Sequence, residues 1–203
     1  GKALAWEGQY QGDLVDGIRH GKGHCRYPNS DSYVGDFKTG MREGQGVLLQ
    51  HNGVRYEGDW FRSLRHGLGK ERWPNGDVYE GEYQQDRFHG KGALKSRGGW
   101  YRGNFEKGTK GGHGLMNFNS GASYEGSWAN NRFNGEGVYS WADNRRYEGE
   151  WKDGLHHGAG IVLWPNGQVL APSCSGPTDR FWPHRALAQR TGFGPIVLWP
   201  NGQ

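Results

Sequence analysis

Residues 147–160 read Tyr-Glu-Gly-Glu-Trp-Lys-Asp-Gly-Leu-His-His-Gly-Ala-Gly, and this stretch decides the fold. Its first five residues alternate: Tyr147, Gly149 and Trp151 fall on one face of an extended strand, with Glu148 and Glu150 on the other. Lys152, Asp153 and Gly154 supply a turn in which glycine takes φ > 0, and Gly158-x-Gly160 opens a second extended run over 161–164. The unit is a β-hairpin with one apolar face.

The same unit recurs along the chain. Its leading aromatic stands at Tyr10, Tyr33, Tyr56, Tyr79, Tyr101, Tyr124 and Tyr147, a spacing of 23 residues with one step of 22. Two residues on from each tyrosine is a glycine (Gly12, Gly35, Gly58, Gly81, Gly103, Gly126, Gly149), and two further on is Leu14, Phe37, Trp60, Tyr83, Phe105, Trp128 or Trp151. A Gly-x-Gly opens the second strand in all seven copies, from Gly21/Gly23 to Gly158/Gly160. Tyr-x-Gly-x-aromatic, a turn and Gly-x-Gly together resemble the MORN (membrane occupation and recognition nexus) repeat over residues 10 to about 168. The resemblance implies an all-β, single-layer solenoid of about seven stacked antiparallel hairpins, in which each hairpin buries its face against the next.

Composition agrees with a repeat array. The 38 glycines among 203 residues are well over twice the usual share of about 7%. A hydrophobic fraction of only 33% would suit a disordered chain, but 10 Trp, 10 Tyr and 8 Phe sit at fixed repeat positions where rings bury large areas. The formal charge of +4 is mild, there is no basic run of five or more, and no recognition motif for DNA or RNA occurs, so nucleic acid is not an expected partner. Cys25 and Cys174 lie far apart and are expected to be reduced thiols. No apolar run reaches 18 residues, so neither a transmembrane helix nor a signal peptide is expected.

Three segments follow from this reading. Residues 1–9 form an N-terminal cap or degenerate repeat, 10–168 the array, and 169–203 an irregular tail with a short helix over 185–190 and a partial repeat at its end. Each repeat closes on turn-forming residues such as Pro74-Asn75-Gly76-Asp77. The fourth is one residue short and ends in Ser96-Arg97-Gly98-Gly99, where a kink or bulge is expected.

No catalytic constellation stands out, and no cofactor or metal is expected. Glu148/Glu150 and Glu80/Glu82 recur as solvated charges that protect the sheet. His20, His66, His89 and His156-His157 form a surface stripe, because repeats too far apart to converge on one ion carry them. Residues 108–114 are glycine-rich but lack the Gly-Lys-Ser/Thr ending of a phosphate loop.

Surface remains. Rows of rings with a glycine furrow between them suit a guest helix or peptide, which gives Tyr56, Tyr79, Tyr101 and Tyr124, with Gly81 and Gly103, as partner-binding residues. Basic residues near the hairpin turns, Arg65, Lys70, Arg87 and Lys91 above all, are the candidates for contact with an anionic membrane. The sequence points to a non-enzymatic scaffold for protein–protein interaction. Its alternatives are a peripheral membrane-association module and an accessory region of a larger enzyme. The resemblance implies a cytoplasmic setting on the cytoskeleton, axoneme or cilium, or at a membrane surface. It also implies neighbours such as lipid-kinase or lysine-methyltransferase domains, for which these residues carry no signature.

Overall fold

The computed structural model describes residues 9–170, and every described element is a strand. The chain divides between Thr109 and Lys110 into two compact units. The first holds β1 (Gln9–Val15), β2 (Ile18–Arg26), β3 (Ser32–Lys38), β4 (Met41–Leu49), β5 (Arg55–Phe61), β6 (Leu64–Arg72), β7 (Val78–Gln84), β8 (Arg87–Ser96) and β9 (Gly99–Glu106). The second holds β10 (Thr109–Phe118), β11 (Ser123–Ala129), β12 (Arg132–Ser140), β13 (Arg146–Lys152), β14 (Leu155–Leu163) and β15 (Val169–Leu170). Within each unit every strand pairs antiparallel with its neighbour in sequence, so the architecture is the all-β stack of hairpins that the repeat requires.

The first turn of each repeat has only two residues. Both take positive φ, as at Asp16/Gly17 (51° and 74°) and Arg62/Ser63 (49° and 66°), the turn whose twist matches that of paired strands. Because this turn is so short, the second strand begins three residues before the Gly-x-Gly, at Leu155 rather than Gly158. The glycines instead mark a bulge: Gly58 faces Gly69, yet Trp60 faces Arg65, which leaves two extra residues on β6. Side chains satisfy the bulge. Tyr56 donates its hydroxyl to Asp59 O at 2.8 Å, and the Asp59 carboxylate accepts from Leu68 N–H at 2.7 Å. Asp36 and Glu82 do the same for Gln45 and Lys91, so Glu82 is a structural acceptor and not simply a solvated charge.

Stacking of repeats is visible at the same turns. Ser63 N–H donates to Arg42 O at 2.9 Å and Asp86 N–H to Arg65 O at 3.0 Å, each bond linking a turn to the hairpin before it. The shortened fourth repeat has no kink: β8 and β9 pair without a register shift down to Ser96/Gly99, so a two-residue hairpin replaces the longer turn. β15 pairs with β14 through Val169 and Leu170, where the pattern is expected to have ended. Of the cap or degenerate repeat expected over 1–9, Gln9 opens β1 and the rest lies outside the described residues, as do the helix over 185–190, Cys174 and the partial repeat over 196–203.

Candidate functional site

One face of each sheet, the front, carries the tyrosines, and the core is there. Tyr33, Tyr56, Tyr79, Tyr101, Tyr124 and Tyr147 are each at most 1% exposed. Tyr33, Tyr56, Tyr79 and Tyr124 each meet the second aromatic of their own strand and that of the next repeat edge to face, as Tyr33 does with Phe37 (5.1 Å) and Trp60 (5.4 Å) and Tyr56 does with Trp60 (5.1 Å) and Tyr83 (5.1 Å). Such pairs contribute about 0.5–1.5 kcal/mol each beyond the area they bury. Trp60 and Trp128 also send their indole N–H back to a carbonyl of the preceding hairpin, Gly46 at 3.2 Å and Gly114 at 3.0 Å.

These contacts correct the reading of the tyrosines. The furrow between the rows is filled by the tyrosines themselves: a Cβ at Gly81 would stand 2.5 Å from Gly92 Cα and 2.7 Å from the Tyr79 hydroxyl. Gly103 pairs directly with Gly92 in the same layer. All four hydroxyls are engaged with backbone: Tyr56 on Asp59, Tyr79 on Glu82, Tyr101 on Asn104 and Tyr124 on Ser127. Burial holds them protonated, pushing the Tyr101 phenol up to about 12 and the other three higher. Tyr56, Tyr79, Tyr101 and Tyr124 are the floor of the site and not its contact surface.

What lies on that floor is a row the sequence reading assigned elsewhere. Nine residues after each tyrosine stand Arg19, Arg42, Arg65, Phe88, Lys110, Phe133 and His156. Phe88 stacks on Tyr79 at 3.7 Å, Phe133 on Tyr124 at 3.8 Å and His156 on Tyr147 at 3.9 Å. The cations do the equivalent through their charge, with the Arg42 guanidinium 4.1 Å from the Trp60 ring centre and the Lys110 ammonium 5.0 Å from that of Trp128. The signal was in the sequence as a period-23 position, but mixed chemistry hid it: Arg, Lys, Phe and His share only the ability to lie against a ring.

The four membrane candidates do not share a surface. Arg65 faces Trp60 on the front and is held by Glu71 (2.6 Å) and Asp86 (3.1 Å). Lys70, Arg87 and Lys91 lie on the opposite face, since their cross-strand partners Glu80, Gln84 and Asn104 alternate with the tyrosine-face residues. Lys70 is paired with Glu80. Arg65 is therefore parted from the other three, because the strand period of two sends neighbouring charges to opposite sides.

Glu71 is the charged residue buried in this layer, 5% exposed and bonded to Arg65 and to the Tyr83 hydroxyl at 3.0 Å. In the next repeat Phe88 and Leu94 take the places of Arg65 and Glu71. Glu71→Leu alone should then cost about 1–3 kcal/mol, because the buried Tyr83 hydroxyl loses its acceptor while Arg65 keeps Asp86, and Arg65→Phe with Glu71→Leu should recover part of it. Urea melts of the two variants make the comparison. His156 gives a second expectation. Burial lowers its pKa, so on acidification the unfolded chain takes up the proton first. Its contribution is fully present above the ordinary value of about 6.5 and is lost as pH falls through the depressed one. His156→Phe should remove that component from the pH dependence of thermal melting without loss at pH 7.5.

Beyond the floor the front face is open, and half-buried rings line its second-turn side: Tyr27 and Trp73 in the first unit, Phe118 and Trp141 in the second. In the first unit a cleft runs between the two rows of turns, with Tyr27, Phe37 and Leu48 at its base and Arg19, Arg42 and Ser63 at its rim. Arg42 is fixed there by a 2.7 Å bond to Ser63 O. In the second unit Phe118, Phe133, Tyr139 and Trp141 form a linked group, with successive centroids 5.1 to 6.4 Å apart, and the Arg145 guanidinium lies over Trp141 at 5.3 Å.

Comparison with known proteins bears on the repeat. No curated protein matches the chain. Among solved structures, the TCP domain of SAS-4 (dCPAP) of Drosophila melanogaster, in complex with a proline-rich motif of Ana2 (dSTIL), is 15% identical over 83% of this chain and 92% of its own, with a TM-score of 0.49. The TCP10c domain of Drosophila melanogaster Sas-4 is 16% identical over 74% of this chain and 90% of its own, with a TM-score of 0.41. The family model of the MORN repeat matches seven times, over residues 10–32, 33–55, 56–78, 79–100, 101–123, 124–144 and 147–169. Those matches follow the hairpins one for one, and the chain belongs to the MORN-repeat family.

Proposed function

We propose that the protein is a non-enzymatic scaffold that takes a helix or peptide of a protein partner on the open front face of a unit, in the cytoskeletal setting the family resemblance implies. The observation that carries this is the second layer of rings. After the tyrosines and the Trp60/Trp128 row are fully packed, Tyr27, Trp73, Phe118 and Trp141 remain half-buried on a sheet face with no covering layer among the described residues. Rings held in place at one edge and bare at the other lose little conformational freedom on binding, which makes them good anchors. The Arg19 and Arg42 guanidinium groups at the rim of the first-unit cleft add donors for a partner's carbonyl or carboxylate groups.

Affinity capture from a ciliated cell extract with quantitative mass spectrometry tests the proposal. The parent and a Tyr27→Ala/Trp73→Ala/Trp141→Ala variant, shown to be folded, are compared. Partners enriched by the parent and lost by the variant support the front face. An unchanged partner set would rule it out.

A further inference from the structure

The back of the first unit carries a row that nothing in the front-face reading uses. Cross-strand pairs Arg55/Arg72, Arg72/Val78, Val78/Lys95 and Lys95/Trp100 follow one another across β5 to β9, so five side chains lie side by side on the face opposite the tyrosines. Directly opposed residues on antiparallel strands are close neighbours, at about 4.5–5.5 Å. Trp100 is 45% exposed, a large ring left in water, and with Arg72, Val78 and Lys95 of the row, and the ion-paired Lys70 and Glu80 beside it, lines a shallow depression. Arg72, Lys95 and the nearby Arg102 are exposed and make no ion pair with a described residue.

We infer that this row is a docking surface for an acidic peptide segment that carries apolar side chains, lying across the strands with carboxylates on Arg72 and Lys95 and apolar groups against Val78 and Trp100. Charge complementarity selects the occupant. The row itself holds three cations and no acid, whereas the adjacent row holds Glu57 and Glu80, which are ion-paired to Arg55 and Lys70. A single chain laid along the first row meets Arg72, Val78, Lys95 and Trp100, and the carboxylates beside it are already held, Glu57 by Arg55 and Glu80 by Lys70. A flat anionic bilayer would meet both rows, and the carboxylates of the second would repel it. This surface is separate from the front face, so it stands or falls independently of the scaffold proposal.

The test uses fluorescence anisotropy with a fluorescein-labelled peptide repeating Glu-Glu-Leu-Glu-Phe. The parent chain should bind it, and the same peptide with Gln for Glu should not bind. Arg72→Glu/Lys95→Glu and, separately, Trp100→Ala should each weaken binding at least about tenfold. Arg87→Glu/Lys107→Glu, with the same change in charge at the hairpin turns, and Trp73→Ala on the front should leave it within about twofold, as distant sites do. Each variant is first shown to melt like the parent. Lack of binding by the parent, equal loss in both charge variants, or full binding by Trp100→Ala would overturn the inference. So would binding to phosphatidylserine vesicles, lost in Arg72→Glu/Lys95→Glu, without binding to the peptide, which would give the row to a membrane.

Discussion

Gly69→Val is expected to destabilise the first unit by about 3–5 kcal/mol, as much as deleting a core aromatic. A Cβ at Gly69 would lie 2.7 Å from Tyr56 Cζ and nearer still to its hydroxyl. The ring has no room to yield. It is 1% exposed, wedged edge to face between Trp60 and Tyr83, and tied by its hydroxyl to Asp59 O. Displacing it would break both ring contacts and the bond that satisfies the bulge. Gly76→Val, at a turn glycine whose Cβ would meet nothing within 4 Å, separates this close contact from backbone strain at positive φ and should cost about 1–2 kcal/mol. Urea unfolding followed by tryptophan fluorescence measures both.

Trp60→Ala should cost about 3–5 kcal/mol as well, for a different reason. The indole is 4% exposed and joins two repeats: it meets Tyr33 of the preceding hairpin and Tyr56 of its own, and its N–H reaches Gly46 O. Alanine would leave a cavity between hairpins, strip Arg42 of the ring beneath it and free a carbonyl. Because Phe37 and Phe105 fill the equivalent place in other repeats, Trp60→Phe should retain more than half of the stability. Trp128→Ala should match Trp60→Ala, since its contacts with Tyr124 (5.2 Å) and Gly114 O (3.0 Å) are the same.

Much of this was legible in the sequence because strand alternation and hairpin turns are local properties. The period located the hairpins, and the alternation of Tyr147, Gly149 and Trp151 placed them on one face, as their pairing with Val162, Gly160 and His156 shows. Two features were not legible. A missing Cβ at Gly81 admits a guest chain or the protein's own Tyr79 ring equally well, and only three-dimensional packing decides between them. The two-residue turn starts the second strand at Leu64, ahead of the bulge, so Arg65 pairs with Trp60 on the ring layer although its position beside the turn reads as a solvated edge. Arg65 was misread for that reason: a cation near a turn is usually solvent-facing, and here its guanidinium lies over the Tyr56 ring at 5.7 Å.

The assignment of floor and contact surface is the centre of this account, and one titration tests it. A partner captured by the parent chain is titrated calorimetrically into Tyr79→Phe and into Trp73→Ala, each shown to be folded. Tyr79→Phe removes only a hydroxyl bonded to Glu82 O inside the sheet, and should bind as the parent does. Trp73→Ala removes a half-buried ring from the open face and should bind at least about tenfold more weakly. Parent-like affinity for Trp73→Ala together with loss of binding by Tyr79→Phe would contradict the account and return recognition to the tyrosines.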